Sequence, residues 1–264
     1  MNILEKIVDV KKEEVQQLRR EFTLSSFTDK EFFAKNTMSL KKALSESENI
    51  SIIAEVKKAS PSKGLICREF DHAGIAGTYF KNGADAVSVL TDEQFFQGSL
   101  QYLADIAAFK TAPLLRKDFI IDVYQLYQAK ASGADAVLLI AEILSAGQIK
   151  ELSIASSKIG LDVLLEIHSL KQLEKIDLEL NTLIGVNNRN LENFSVDLNT
   201  TIKLSKELPD FTTIVSESGI HSKEDINKLN SASVNAVLVG EHLMRSNNTA
   251  DALRELKGWC RYEG

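Results

Sequence analysis

Glu55 and Lys57 stand two residues apart at the end of the apolar run SIIAEV. A strand there turns a carboxylate and an ammonium to one side and Val56 to the other, under a helix. Alone, the pair reads most simply as a solvated ion pair at a rim. Other apolar runs end the same way, however. Lys117 follows PLLR with Leu115 and Phe119 on its parity, Glu166 follows VLL, and Asn187 and Arg189 follow LIGV. Ser216 and Ser218 close a further run, TTIV. Ammonium and carboxylate groups are the partners of general acid–base chemistry, and amides and hydroxyls orient a substrate. Acid, base and amide groups arriving from four different strand ends form a converging set, which a solvated surface explains poorly.

Other polar residues fit no reaction pattern. His72, His168, His221 and His242 have no metal-ligand spacing and no triad partner. His168 shares the parity of Glu166, but a surface or loop position is the simpler expectation. Ser60, Ser62 and Lys63 in SPSKG lack a nucleophile-elbow pattern, and the charge run KKEEVQQLRR reads as a solvated helix face.

The elements that must carry these side chains repeat. Runs rich in β-branched residues occur at 51–59, 84–91, 112–119 and 134–141, then at 161–168, 182–189, 211–218 and 235–240. Between them lie stretches with helical spacing, such as DVYQLYQAKASG and SKEDINKLNS. Strands alternating with helices imply a parallel sheet, because parallel neighbours need a crossover. Eight units in this length fit a closed (β/α)8 (TIM) barrel better than an open sheet, and no GxGxxG or P-loop supports the latter. GADAV opens two units, at 83–87 and 133–137. Ser145 with Gln148, Ser169 with Gln172 and Ser222 with Asp225 have capping-box spacing after strands four, five and seven. Residues 1–50 form a helical extension with an apolar stripe of Leu4, Ile7, Val8, Val15 and Leu18, and residues 51–264 form the barrel, together one domain. The extension packs against the outside or an end of the barrel, or covers the site.

Chemistry in such barrels gathers at the C-terminal strand ends, and phosphate at the ends of strands seven and eight. Those ends read Ser218-Gly219 and Gly240-Glu241, where glycine lets main-chain amides approach an anion. Only the Glu241 amide is needed if its side chain turns to solvent.

Composition narrows the classes. The hydrophobic share of 44% and charged share of 26% are globular values, so disorder is not expected. A net charge of −6 argues against a nucleic-acid partner but not against a small anionic substrate. Cys67 and Cys260 make no pair, as in a reducing compartment. The opening MNILEKIVDV is unlike a signal peptide, and no apolar run reaches membrane-spanning length. A cytoplasmic protein without a membrane partner is the expectation.

Taken together, IIAEVKKASPSKG (52–64), LLRKDFIID (114–122), GADAVLLI (133–140), LLEIH (164–168), IGVNNRNL (184–191), VSESGI (215–220) and VGEHLM (239–244) resemble the indole-3-glycerol phosphate synthase family, in family order across the whole barrel. GADAV and ESGI are shared by many phosphate-binding barrels, whereas the first, second and fifth segments are specific in combination. The resemblance implies a carboxy-lyase of tryptophan biosynthesis. It closes the indole ring of 1-(2-carboxyphenylamino)-1-deoxyribulose 5-phosphate, with loss of carbon dioxide and water, without metal or organic cofactor. It implies catalytic roles for Lys117, Glu166, Lys57, Glu55 and Asn187, and substrate contacts from Ser60, Pro61, Phe96, Phe119, Arg189 and Ser218. Phosphate would meet the amides of Gly219, Gly240 and Glu241. Lys117 would be a general acid of lowered pKa, Glu166 a base or a group with a dual proton-transfer role, and Lys57, steered by Glu55, a second acid that also offers its charge to the substrate's carboxylate or phosphate. Asn187 and Ser218 would orient hydroxyls. The partner is a small phosphorylated substrate, and the chain a monomer or weak homo-oligomer. A rival barrel, phosphoribosylanthranilate isomerase, needs a cysteine and an aspartate, and neither cysteine here follows a strand core suitably. A non-catalytic binding barrel has little use for Lys57, Lys117, Glu166 and Asn187 together.

Overall fold

A computed structural model describes residues 3–190 and 194–261, so Leu191 of the IGVNNRNL segment lies outside the described residues. The barrel is made by eight strands, one from each expected run: β1 (Ser51–Val56), β2 (Ala86–Leu90), β3 (Leu114–Lys117), β4 (Ala136–Ile140), β5 (Asp162–Ile167), β6 (Leu183–Asn187), β7 (Thr213–Glu217) and β8 (Ala236–Val239). Each pairs in parallel with its neighbours, and β1 meets both β2 and β8, so the sheet closes into a (β/α)8 barrel.

Each strand is apolar on both faces because each face is covered. Ile53, Ala86, Leu115, Ala136, Leu164, Leu183, Val215 and Ala236 fill the interior. Ile52, Val87, Leu114, Val137, Leu165, Ile184 and Val237 point outward, and Val56 does too, all into the layer shared with the helices. The two GADAV segments perform one task twice. Gly83 and Gly133 turn the chain at φ +79° and +85°, left-handed angles that a side chain disfavours. The carboxylates of Asp85 and Asp135 then accept the amides of Ile52 and Leu114, each at 2.8 Å, tying two strand starts together.

Ser145–Gln148 and Ser222–Asp225 form the capping boxes that their spacing predicts. Ser169–Gln172 does not. Leu170–Lys175 is a 3-10 turn without a side-chain cap, and the Gln172 carbonyl accepts the His168 amide at 2.6 Å instead. Asp122 with Gln125, at the same spacing, makes a further capping box after β3.

The N-terminal extension serves both ends of the barrel and its side. Helix α1 (Ile3–Glu21) buries Ile7, Lys11 and Val15. Further along, Phe27 and Phe33 meet Tyr124 and Tyr127 on the barrel's flank. The helix Leu40–Ser45 then stops the N-terminal end, inserting Leu40 and Leu44 into the interior apolar cluster. Full burial of each is worth about 1.5–3 kcal/mol.

Candidate active site

At the opposite, C-terminal end the same inward-facing positions turn polar. Lys117, at the end of β3, points between two buried carboxylates, 2.9 Å from Glu166 on β5 and 3.2 Å from Glu217 on β7. The register brings these levels together, because Glu166 lies opposite Gly185 and Glu217 opposite Asn187. Burial alone would disfavour the Lys117 ammonium, but Glu166, Glu217 and Glu55 outweigh it and hold the pKa above its ordinary value. This reverses the lowered pKa expected from burial. The lysine faces three carboxylates, not an apolar wall.

The two glutamates divide the ammonium unequally. Burial pushes both towards protonation. At Glu166, Lys117 and His168 overcome burial, and the carboxyl is held below the usual range. At Glu217, Lys117 opposes burial, but Glu166 and Glu55 add to it, and the pKa is pushed up to about 8. The same ammonium thus holds Glu166 down, while burial and the neighbouring carboxylates push Glu217 up.

Glu55 is buried on β1 and pairs with Lys57, so the pair is not a solvated rim feature. Two glycines make room for these carboxylates. A Cβ on Gly240 would collide with a Glu55 oxygen, and one on Gly185 would collide with a Glu217 oxygen. The Asn187 amide donates to Glu166, while its carbonyl accepts the Arg189 amide at 3.0 Å. Phe96 and Phe119 approach with ring centroids 6.0 Å apart. One cavity unites these groups: Glu55, Lys57, Ser60, Pro61, Phe96, Lys117, Phe119, Glu166, Asn187, Arg189, Ser218, Gly219, Gly240 and Glu241 all line it.

Several positions differ from expectation. Ser216 faces outward and hydrogen-bonds with Asn188 at 3.0 Å and Thr201 at 2.9 Å, and Glu217 takes the inward place. Ser218 reaches the cavity through a left-handed turn, φ +67°, rather than by strand alternation. The Glu241 side chain stays at the cavity, bonded to Arg245 at 3.0 Å, with Lys63 at 3.6 Å and Arg189 at 4.0 Å. Lys63 thus joins the mouth as a cation. His168 lies in the loop after β5, as expected, but not at the surface: its Nε2 lies 3.3 Å from a Glu166 oxygen and its ring is largely enclosed. Lys11, within the run read as a solvated face, is buried. Ile3, Leu4 and Ile7 of α1 also line the cavity, so the extension covers the mouth as well as the flank.

Fold and cavity define a (β/α)8-barrel enzyme with its site at the C-terminal mouth. A family model for indole-3-glycerol phosphate synthase matches residues 4–256. The indole-3-glycerol phosphate synthase of Desulforamulus reducens is 46% identical over 255 residues, covering 96% of each chain. That of Salinibacter ruber is 46% identical over 259 residues, covering 97% of this chain and 96% of its own. The chain belongs to the indole-3-glycerol phosphate synthase family, whose enzymes are carboxy-lyases of tryptophan biosynthesis. Solved structures share the fold at much lower identity. KGPDC from Streptococcus mutans superposes with a TM-score of 0.61 at 13% identity, covering 81% of this chain and 98% of its own. Thiamine phosphate pyrophosphorylase from Pyrococcus furiosus gives 0.59 at 16%, covering 84% and 98%. Among the described residues no helix is long and apolar enough to cross a membrane.

Proposed function

We propose that this chain converts 1-(2-carboxyphenylamino)-1-deoxyribulose 5-phosphate to indole-3-glycerol phosphate by acid–base catalysis at the Lys117 cluster. The observation that carries the mechanism is the Lys117 ammonium, protonated and held between Glu166 and Glu217 on the floor of an apolar-walled cavity. The aromatic carbon bearing the carboxylate attacks the ketone carbon, and Lys117 gives its proton to the ketone oxygen. Carbon dioxide then leaves, returning its bonding electrons to the ring. Finally a proton and the new hydroxyl depart as water. Glu166, ionised beside its lysine, takes the proton, and Lys57, steered by Glu55, protonates the leaving hydroxyl. The raised Lys117 pKa keeps the acid loaded at neutral pH, and its bonds to the glutamates must loosen as the proton moves.

Phe96, Phe119 and Pro61 wall the substrate's aromatic ring, and Ser60 meets its polar edge. Asn187 and Ser218 orient hydroxyls, with Arg189 supporting the polar network. The phosphate sits against the amides of Gly219, Gly240 and Glu241, with Lys63 and Arg189 supplying positive charge at the mouth. The N-terminal extension from Ile3 onward acts as one unit with the barrel, a reading supported by the place of Ile3, Leu4 and Ile7 in the cavity wall. Incubation with the ketose phosphate should produce indole absorbance and fluorescence. Purified, folded protein that leaves this substrate unchanged would remove the reading.

A further inference from the structure

The buried face of α1 contains one charge. Lys11 is only 2% exposed, and its ammonium lies 2.9 Å from Asp92 and 3.1 Å from Asp118, carboxylates 0% and 1% exposed. It also reaches Glu14, one turn further along the helix, at 2.8 Å. Asp118 lines the cavity, and Asp92 anchors the segment that brings Phe96 to it. Asp92 caps the short helix carrying Phe96, accepting the amides of Phe95 and Phe96 at 2.7 and 3.2 Å. Asp118 stands between Lys117 and Phe119, held by Arg116 at 3.0 Å and Thr91 at 2.5 Å. Lys11 and Arg116 thus balance Asp92 and Asp118, and a buried carboxylate that loses its cation is strongly disfavoured. One and two helical turns before Lys11, Ile7 and Leu4 face the cavity, together with Ile3.

We propose that Lys11 is a positioning residue for the reaction, latching α1 onto Asp92 and Asp118 so that Ile3, Leu4 and Ile7 form an apolar roof over the substrate's aromatic ring. This rests on the ring-closing activity proposed above. The roof consists of apolar side chains that move no proton and carry no charge, so it acts chiefly on binding, in ground and transition states alike.

The test is a double-mutant cycle on the full chain, with KM, kcat and amide hydrogen exchange measured for each protein. Lys11→Met should raise KM about 10- to 100-fold, the loss of a charged hydrogen bond. Its kcat should stay within about threefold. Amides of α1 should exchange faster while those of the barrel strands keep their protection. Asp92→Asn, which retains an oxygen for the Phe95 and Phe96 amides, should move KM and exchange in the same direction. The double variant should raise KM no further than the worse single, since both changes remove the Lys11–Asp92 contact. Additive effects, or a KM within about twofold of wild type in both single variants, would overturn the latch. So would a fall in kcat accompanied by lost protection in the barrel strands. If Lys11→Met does not fold, Asp92→Asn decides by the same readings. A wild type inert towards the ketose phosphate would instead remove the activity itself, so the two failures are separable.

Discussion

The two ends of this barrel are built from the same eight strands with the same alternation, yet they carry opposite chemistry. At the N-terminal end the inward residues are Ile53, Ala86, Leu115, Ala136, Leu164, Leu183, Val215 and Ala236, stoppered by Leu40 and Leu44. At the C-terminal end, one inward step further along four of those strands, stand Glu55, Lys117, Glu166 and Glu217, and Asn187 stands two steps beyond Leu183. Each such step costs desolvation that apolar residues avoid, and the charges persist only because each has a partner. The closed end holds the barrel together, and the open end concentrates paired charge where a substrate can reach it.

The largest effect should come from the open end. Lys117→Ala removes the proposed acid, and kcat should fall about 10²–10⁴-fold while circular dichroism keeps the signature of the folded barrel. Near-normal turnover would break the division between the ends at its strongest point. Leu44→Ala is the converse test. Opening a cavity at this buried leucine should lower unfolding free energy by about 2–5 kcal/mol in denaturant titrations, with kcat little changed at low temperature.

Gly185→Ala probes the boundary between the two ends. The added methyl would collide with a Glu217 oxygen and lie 3.4 Å from Leu164 Cδ1, touching the charged layer above and the apolar one below. It should lower stability by about 1–3 kcal/mol, and it should also lower kcat/KM as Glu217 shifts. A change in stability without one in turnover would place Glu217 outside the chemistry.

A smaller effect follows from the Glu217 pKa of about 8. Because that pKa is raised, the carboxyl is neutral below it and anionic above it. Rising pH therefore adds a negative charge beside an anionic substrate. KM should climb by about tenfold on the alkaline side, equivalent to ~1.4 kcal/mol of repulsion. Glu217→Gln should flatten that limb in a KM–pH profile. An unchanged limb would assign it to another group.

Much of the site was readable in the chain because strand ends are conspicuous: Lys117, Glu166 and Asn187 each interrupt an apolar run. Glu217 was not, although it is equally central. In TTIVSES both parities of the strand are apolar, since parallel barrel strands are buried on both faces, and nothing local says which alternate set turns inward. Ser216 and Ser218 therefore looked like the mouth residues. Lys11 had a visible signal, because it falls between Ile7 and Val15 at helical spacing, in the one gap of the apolar stripe. Its neighbours Lys12, Glu13 and Glu14 disguised it as part of a solvated face.

What the chain determines unaided is the alternation of strand and helix, the count of eight, and the identity of most groups at the mouth, because periodicity and turn chemistry are local properties. What tertiary structure decided is the charge state of those groups. Glu55, Glu166 and Glu217 come from strands far apart in sequence, and only closure of the barrel brings them to one lysine. Protonation depends on every neighbour within a few ångströms, so Lys117 is held up rather than down, as no single segment could have foretold.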